Sequence, residues 1–258
     1  MRAMILAAGM GTRLRPLTDD RPKALVEIAG RTLLEITLSR LRSFGVNEVI
    51  VNAHHFAEVI VDYLRQNNNF GMNIEVSREE VLLDTGGALK KAAHFFAGSK
   101  DDEPFILHNV DVISTIDLRQ MAEFHTERQA LATLAIQDRQ TSRYLLFDED
   151  DQLCGRRKAS DQETELVRSS AQTQASAFCG VHVISARLLR MMTEEGIFSI
   201  IDVYLRLASA GEAILAFRAD EYHWRDLGRI ESLQQAELDL QQQRVTEQRA
   251  SRPPAESL

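Results

Sequence analysis

Gly9 and Gly11 follow directly on the apolar run Ala3 to Ala8, and the loop they open also carries Arg13, Pro22 and Lys23. Glycine just after a strand lets backbone N–H groups approach phosphate oxygens, and an arginine and a lysine supply the charges that a polyphosphate needs. Gly-x-Gly alone serves equally well as a tight turn; the cations of the same loop are what favour an anion. Two rival phosphate motifs can be compared letter by letter. A dinucleotide fingerprint needs a third glycine near position 14, where Leu14 stands, and an acidic residue closing the second strand, where the chain has Asn52 and Ala53. A P-loop needs Gly-Lys-Ser or Gly-Lys-Thr at the end of the loop, which is also absent.

Asp111 ends the apolar run Phe105 to Val110. The carboxyl ends of parallel strands form the usual ligand crevice of an open α/β sheet, so its position makes Asp111 a candidate, with a turn or helix cap as the bland alternative. Thr85 precedes Gly86-Gly87 and can cap a helix over 86–96. The two glycines leave room for a flat nucleobase or simply serve turn geometry. His54 and His55 are adjacent, point to different sides and lack the spacing of two ligands on one helix face, so solvent or capping roles are expected. No Gly-x-Ser-x-Gly elbow supports a hydrolase.

The stretch Leu6-Ala-Ala-Gly-Met-Gly-Thr-Arg-Leu-Arg-Pro-Leu-Thr, followed by Arg21-Pro-Lys23, resembles the opening signature of the sugar-1-phosphate nucleotidyltransferases. Three further features of that family occur in order: Asp84-Thr-Gly-Gly-Ala-Leu, Asn109-Val-Asp111, and Trp224-Arg-Asp226-Leu-Gly. Among subgroups the chain looks most like short bacterial members such as N-acetylmuramate-1-phosphate uridylyltransferases and relatives similar to mannose-1-phosphate guanylyltransferases. The resemblance implies nucleotide contacts at Leu6, Ala8, Gly9, Gly11, Thr12, Arg13, Thr85, Gly86, Gly87 and Asn109, and chemistry at Arg13, Lys23 and Asp111. It implies Mg²⁺ held by Asp111 with Asp226, a hard cation bridging phosphate oxygens. It places the sugar phosphate near Gly180, within Phe178-Cys-Gly-Val. Two departures stand out: Val110 replaces a glycine common in the family, and Arg156-Arg-Lys158-Ala replaces a Glu-Lys-Pro element, leaving Lys158 as the candidate phosphate cation.

These residues need a scaffold. Residues 3–8 read as a strand buried on both faces, and Thr32 with Glu35 forms a capping box that opens a helix running to Gly45. The roughly 20 residues between lack periodicity, which in a compact domain marks a functional loop. A strand at 48–52, a helix from Phe56 to the Asn67-Asn68-Asn69 turn, a strand at 72–77, a helix over 86–96, a strand at 105–110 and a helix over 117–125 continue the alternation. That predicts an α/β, Rossmann-like, mostly parallel sheet flanked by helices and joined by right-handed crossovers. Pieces at 131–136, 144–147 and 177–184, separated by a polar stretch at 155–174, predict a small antiparallel extension in the second half. Helices at 186–193 and 199–210, a strand at 213–217 and a closing helix from 229 to about 244 complete the expectation. One domain over 1–245 is expected, with a nucleotide-binding half (1–130), a sugar-binding half (131–245) and a tail at 246–258.

Composition sets the outer limits. With 258 residues, 44% hydrophobic and 26% charged, the chain reads as an ordinary globule able to bury a large core. No apolar run approaches the length of a membrane span, and residues 1–10 do not form a signal-peptide core. Cys154 and Cys179 match neither a disulfide framework nor a zinc site, and fit a reducing cytoplasm. Thirty basic against 38 acidic residues leave a net charge of −8, which opposes nucleic-acid or anionic-membrane binding. Yet the first 23 residues hold Arg2, Arg13, Arg15, Arg21 and Lys23 against only Asp19 and Asp20, a basic loop on an acidic protein. The combined expectation is a cytoplasmic Mg²⁺-dependent enzyme using an NTP, with UTP favoured, and a sugar 1-phosphate. The rival readings are a nucleotide-sensing domain without turnover and a cytidylyltransferase for a phospho-alcohol such as phosphocholine.

Overall fold

The computed structural model describes residues 1–98, 103–160 and 163–239. The chain opens with β1 (Arg2–Leu6), then β2 (Glu27–Ile28), β3 (Arg31–Thr32), α1 (Leu33–Ser43), β4 (Glu48–Ala53), α2 (Ala57–Gln66), β5 (Asn73–Arg78) and α3 (Asp84–Lys91). Next come β6 (Pro104–Asn109), β7 (Val112–Ser114), α4 (Leu118–Glu127), β8 (Ala132–Gln137), β9 (Arg143–Phe147), β10 (Leu153–Lys158) and β11 (Thr164–Leu166). The long β12 (Gln174–Ser185), α5 (Leu188–Met191), α6 (Ile200–Ser209), β13 (Ile214–Arg218) and β14 (Trp224–Asp226) follow, with helix again over 230–239. The remainder of the expected closing helix and the tail at 246–258 lie outside the described residues.

One ten-stranded sheet organises the molecule. Its parallel part runs β5-β4-β1-β6, so the first four long strands stand in the order third, second, first, fourth. That is doubly wound geometry, and the strand order reverses between β1 and β6, where such sheets open their ligand crevice. Leu6 and Asn109 face each other there in register. Apolar residues fill both faces, because strands covered by helices on each side need no alternation: Ala3, Ile5, Val49 and Val51 pack with α1, while Met4, Ile50, Phe105 and Leu107 pack towards α6.

The antiparallel extension is built on β12. Its second half pairs with β6 and its first three residues pair with β9, which carries β10 and β11. β8 also lies against β12 and is joined in parallel by β13. The stretch at 155–174, read from its polarity as a separator, instead contributes the β10–β11 hairpin. Arg156 and Arg157 alternate on a half-exposed ribbon, where polar side chains are stable.

Local expectations meet three refinements. Thr32 Oγ1 accepts from Glu35 N at 3.0 Å, the expected cap of α1, and Asp117 Oδ1 caps α4 through Arg119 N and Gln120 N. The helix expected over 86–96 begins at Asp84 and tightens into a 3-10 turn over Ala92–Phe96. Thr85 does not cap it: its Oγ1 accepts from Ile200 N at 2.9 Å, at the first turn of α6. Finally, the unpatterned loop at 9–31 holds two short 3-10 turns, Thr12–Leu14 and Lys23–Leu25, and the β2–β3 hairpin.

Two cysteines and three histidines are buried. Desolvation pushes the Cys179 thiol up to about 12, so it is an inert packing group. His54 is half-buried and reaches the backbone oxygen of Glu79 through Nδ1 at 2.8 Å, and the His55 ring lies on Phe56; neither caps α2, whose N-cap is Phe56, so His54 takes a backbone-tying place where a solvent or capping role was expected.

Candidate active site

A cavity of about 370 Å³ opens where β1 and β6 end. Leu6, Ala8 and Gly9 line it from the end of β1, Asn109, Val110 and Asp111 from the end of β6, and Leu82, Asp84 and Thr85 with Ile197 from the segments around the start of α3 and before α6. Lys23 and Asn52 complete it. A Cβ at Gly9 would meet no atom within 4 Å, so protein packing does not require glycine there and the space is left to a ligand. Gly11 is different: its φ of +64° and a Cβ position only 2.9 Å from Thr18 Cγ2 admit no other residue without strain. The Gly11 carbonyl accepts from Leu14 N and Thr18 Oγ1, turning Thr12 and Arg13 outward, both exposed.

The tripeptide Asp226-Leu-Gly228 comes to this site from the far end of the chain. β14 pairs antiparallel with β7, placing Asp226 opposite Val112. Leu227 N donates to the Asp111 carbonyl at 2.8 Å, and Asp226 Oδ1 accepts from Gly228 N at 2.6 Å. A Cβ at Gly228 would lie 2.7 Å from Asp226 Oδ1, 2.9 Å from Arg13 Nη2 and 3.4 Å from Lys23 Nζ. Lys23 donates to Asp111 Oδ2, and both side chains are largely buried. Two cations and two carboxylates therefore converge around one glycine. Trp224 holds the strand in place: its Nε1 donates to Cys179 O at 2.7 Å, and the Arg139 guanidinium lies 3.7 Å above its ring.

Such a group of charges suits phosphate chemistry. The cations could neutralise phosphate oxygens, and the two carboxylates are hard oxygen donors of the kind Mg²⁺ prefers. Among the described residues no cluster of three or more His, Cys, Asp or Glu forms a self-sufficient metal cage. A cation here would take its remaining ligands from substrate oxygens and water, the usual habit of Mg²⁺.

The other expected residues divide. Leu6, Ala8, Gly9, Asn109 and Thr85 line the cavity. Gly86 and Gly87 do not: both are buried, with Cβ positions 2.5 Å from the Phe198 ring and 2.5 Å from Gly196 O. Their N–H groups donate to Phe198 O, so they let α3 dock on the segment before α6. Gly180 stands behind the cavity, where a Cβ would come within 2.7 Å of Asn109 Nδ2. Lys158 pairs with Glu163 at 2.7 Å on the β10–β11 hairpin, outside the cavity wall. Asn52, Leu82 and Ile197 also line the cavity and were not expected there. Asn52 carried a signal, as the polar residue ending a buried strand, whereas Ile197 had none.

Comparison with known proteins agrees with this geometry. The family model described as Nucleotidyl transferase matches residues 2–153. Over 249 residues the chain is 28% identical to a UTP--glucose-1-phosphate uridylyltransferase of Synechocystis sp., covering 92% of this chain and 62% of that protein. Over 114 residues it is 44% identical to an N-acetylmuramate alpha-1-phosphate uridylyltransferase of Caulobacter vibrioides, covering 43% and 46% of the two chains. The chain thus spans less than two thirds of the length of either curated relative. A UDP-glucose pyrophosphorylase solved with UDP-glucose superposes with a TM-score of 0.76 at 17% identity, covering 94% of this chain and 98% of that one, which establishes the shared fold. With the opening loop, the central strand and Asp111 all inside the matched span, the chain belongs to the nucleotidyl transferase family.

Proposed function

We propose that the protein transfers a nucleotidyl group from an NTP to a sugar 1-phosphate, releasing pyrophosphate. The convergence of Arg13, Lys23, Asp111 and Asp226 around Gly228 carries this reading, because it gathers both signs of charge at the mouth of a cavity at the sheet's reversal point.

The acceptor phosphate is already ionised at neutral pH, so no protein nucleophile is needed. One of its oxygens attacks the α-phosphorus in line; a P–O bond forms as the bond to the bridging oxygen breaks, and that electron pair leaves with pyrophosphate. The protein's task is to bring two repelling anions together and to offset the charge growing on the leaving group. Arg13, which is exposed, faces the triphosphate with a planar fork that can engage two oxygens. Lys23, deeper and against Asp111, serves the phosphates at the reacting centre. Asp111 and Asp226 would hold Mg²⁺, which supplies Lewis-acid charge neutralisation when bound. Leu6 and Ala8 on one side and Leu82 and Ile197 on the other offer apolar walls for a base, while Asn109 offers polar atoms.

UTP is the favoured donor, since both curated relatives described above are named as uridylyltransferases. A pyrophosphate-release assay over four NTPs and a panel of sugar 1-phosphates, with and without Mg²⁺, tests the proposal. Turnover with one NTP–sugar phosphate pair is expected. Nucleotide binding without turnover across the panel would support the sensing alternative, and turnover with phosphocholine alone would support the phospho-alcohol one.

A further inference from the structure

Glu79 is a carboxylate that the reaction above does not use, and it is only 5% exposed. Among the described residues its oxygens are met by amide N–H groups rather than by a cation. Oε1 accepts from Asn52 Nδ2 at 2.7 Å, and Oε2 accepts from the backbone N–H of Leu83 at 3.0 Å. Asn52, itself 3% exposed, accepts at Oδ1 from Ala7 N at 2.6 Å. An unbroken line of hydrogen bonds therefore joins Ala7, at the end of β1, to Leu83, between Leu82 and Asp84 of the cavity lining. Its middle is fixed to the sheet, because Glu79 N donates to Ala53 O at 2.7 Å.

The line dictates its own chemistry. A backbone N–H can only donate, so Ala7 commits Asn52 to accept at Oδ1 and to present its NH₂ to residue 79. Leu83 presents a second donor to the same residue. Residue 79 must therefore accept on both terminal atoms, which a carboxylate does and a glutamine amide does not. A buried anion without a cation is costly unless its hydrogen bonds are complete, so this one persists where one donor is a backbone N–H and the other a side-chain amide oriented by the backbone N–H of Ala7.

Resting on the proposed function, we infer that Glu79 is a positioning residue for the nucleotide. It sets the separation of the two cavity walls, Leu6–Gly9 and Leu82–Thr85, between which the base would sit. It makes no contact with Arg13, Lys23, Asp111 or Asp226, so its loss acts on nucleotide binding and not on the chemical step.

Calorimetric titration of the full chain with UTP, GTP, CTP and TTP tests this, with melting temperature measured on the same preparations. Glu79→Gln is expected to lower the melting temperature, since one buried donor is left unmet, and to weaken binding of the preferred NTP by about tenfold or more as the two walls lose their spacing. In steady state the KM for NTP should rise accordingly, while kcat stays within about threefold and the KM for sugar 1-phosphate is unchanged. Asn52→Asp combined with Glu79→Gln moves the charge one residue along the line yet restores every pairing: the new carboxylate accepts from Ala7 N and from the new amide, whose carbonyl accepts from Leu83 N. Recovery of the melting temperature lost in Glu79→Gln is expected in that double variant, because the line is whole again. Glu79→Asp retains charge and acceptors but is one methylene shorter; it too should weaken binding, and it serves if Glu79→Gln does not fold. Wild-type affinity in Glu79→Gln or Glu79→Asp would overturn the inference. A wild-type chain that binds no NTP would overturn the proposed function itself.

Discussion

The backbone N–H of Leu227 donates to the carbonyl oxygen of Asp111 at 2.8 Å, locking the last functional segment of the chain onto the end of β6. With β14 paired to β7, the Asp111 and Asp226 carboxylates are held by backbone and not by flexible loops. Asp111→Asn and Asp226→Asn are each expected to remove most Mg²⁺-dependent turnover. Because both would act on one ion, the double variant should lose much less than the product of the two fold-losses. Multiplicative losses measured in a pyrophosphate-release assay would mean the two carboxylates work independently.

Asp111 also carries a stability role that its place at a strand end did not reveal. It pairs with Lys23, whose side chain is 11% exposed. Asp111→Asn leaves that ammonium poorly compensated and should cost about 1 to 3 kcal/mol. Asp226→Asn, whose carboxylate accepts from Gly228 N, should cost less. Urea midpoints of the two variants measured side by side check the ranking, and equal midpoints would contradict it.

Arg13 is exposed, and its Nη2 would lie 2.9 Å from a Cβ at Gly228. Arg13→Ala should reduce kcat by about a hundredfold to a thousandfold, comparable to deleting one preorganised anion-stabilising donor, while the melting temperature stays near wild type. Arg13→Lys should fall between, since a point charge cannot span two phosphate oxygens. A destabilised but fully active Arg13→Ala would reduce Arg13 to a turn residue.

Gly228→Ala offers a steric probe of the same centre. Its Cβ would press on Asp226 Oδ1 and Arg13 Nη2, displacing both. Turnover should fall at least tenfold, about 1.4 kcal/mol in barrier, with folding retained because φ is ordinary there. Wild-type kinetics in this variant would show that the charged groups do not need their present spacing.

Acid should destabilise the fold through its buried histidines. Desolvation lowers His108 and His125 to about 4 and His182 to about 3, all below the ordinary 6.5. Each is neutral in the folded chain and becomes protonated on unfolding below pH 6.5. Their contribution is therefore complete above 6.5 and is lost as pH falls towards 4, by up to about 1.4 kcal/mol per pH unit per group. Denaturation midpoints at pH 7.5, 6.0 and 5.0 should fall in that order. A midpoint that holds level to pH 5.0 would show these rings to be hydrated.

The parallel half of the fold was legible because its signals are local: unbroken apolar strands, the Thr32 cap, and glycines at strand ends. Arg13, Lys23 and Asp111 stood out as candidates for the same reason, as charges beside a strand terminus. Asp226 came only through resemblance, since a carboxylate near a tryptophan carries no local sign of facing Asp111. Gly86 and Gly87 stayed ambiguous in the sequence because close approach to a ring and close approach to a ligand demand the same missing Cβ, and in the fold the ring beside Gly86 is Phe198. The β10–β11 hairpin was hidden by its polarity, which in a half-exposed ribbon looks like a loop.

The pairing of β7 with β14 also has a meaning in time. Asp111 and Asp226 lie 115 positions apart in the chain, so at roughly 5 to 20 residues per second a ribosome takes on the order of 6 to 23 s to deliver the second after the first. Throughout that interval the growing chain already owns its basic loop and its first carboxylate, with Lys23 able to quiet Asp111. Only when Gly228 is clear of the exit tunnel can the strand add itself and complete the charge set, so a translation product truncated before residue 224 keeps most of the sheet but lacks the second carboxylate.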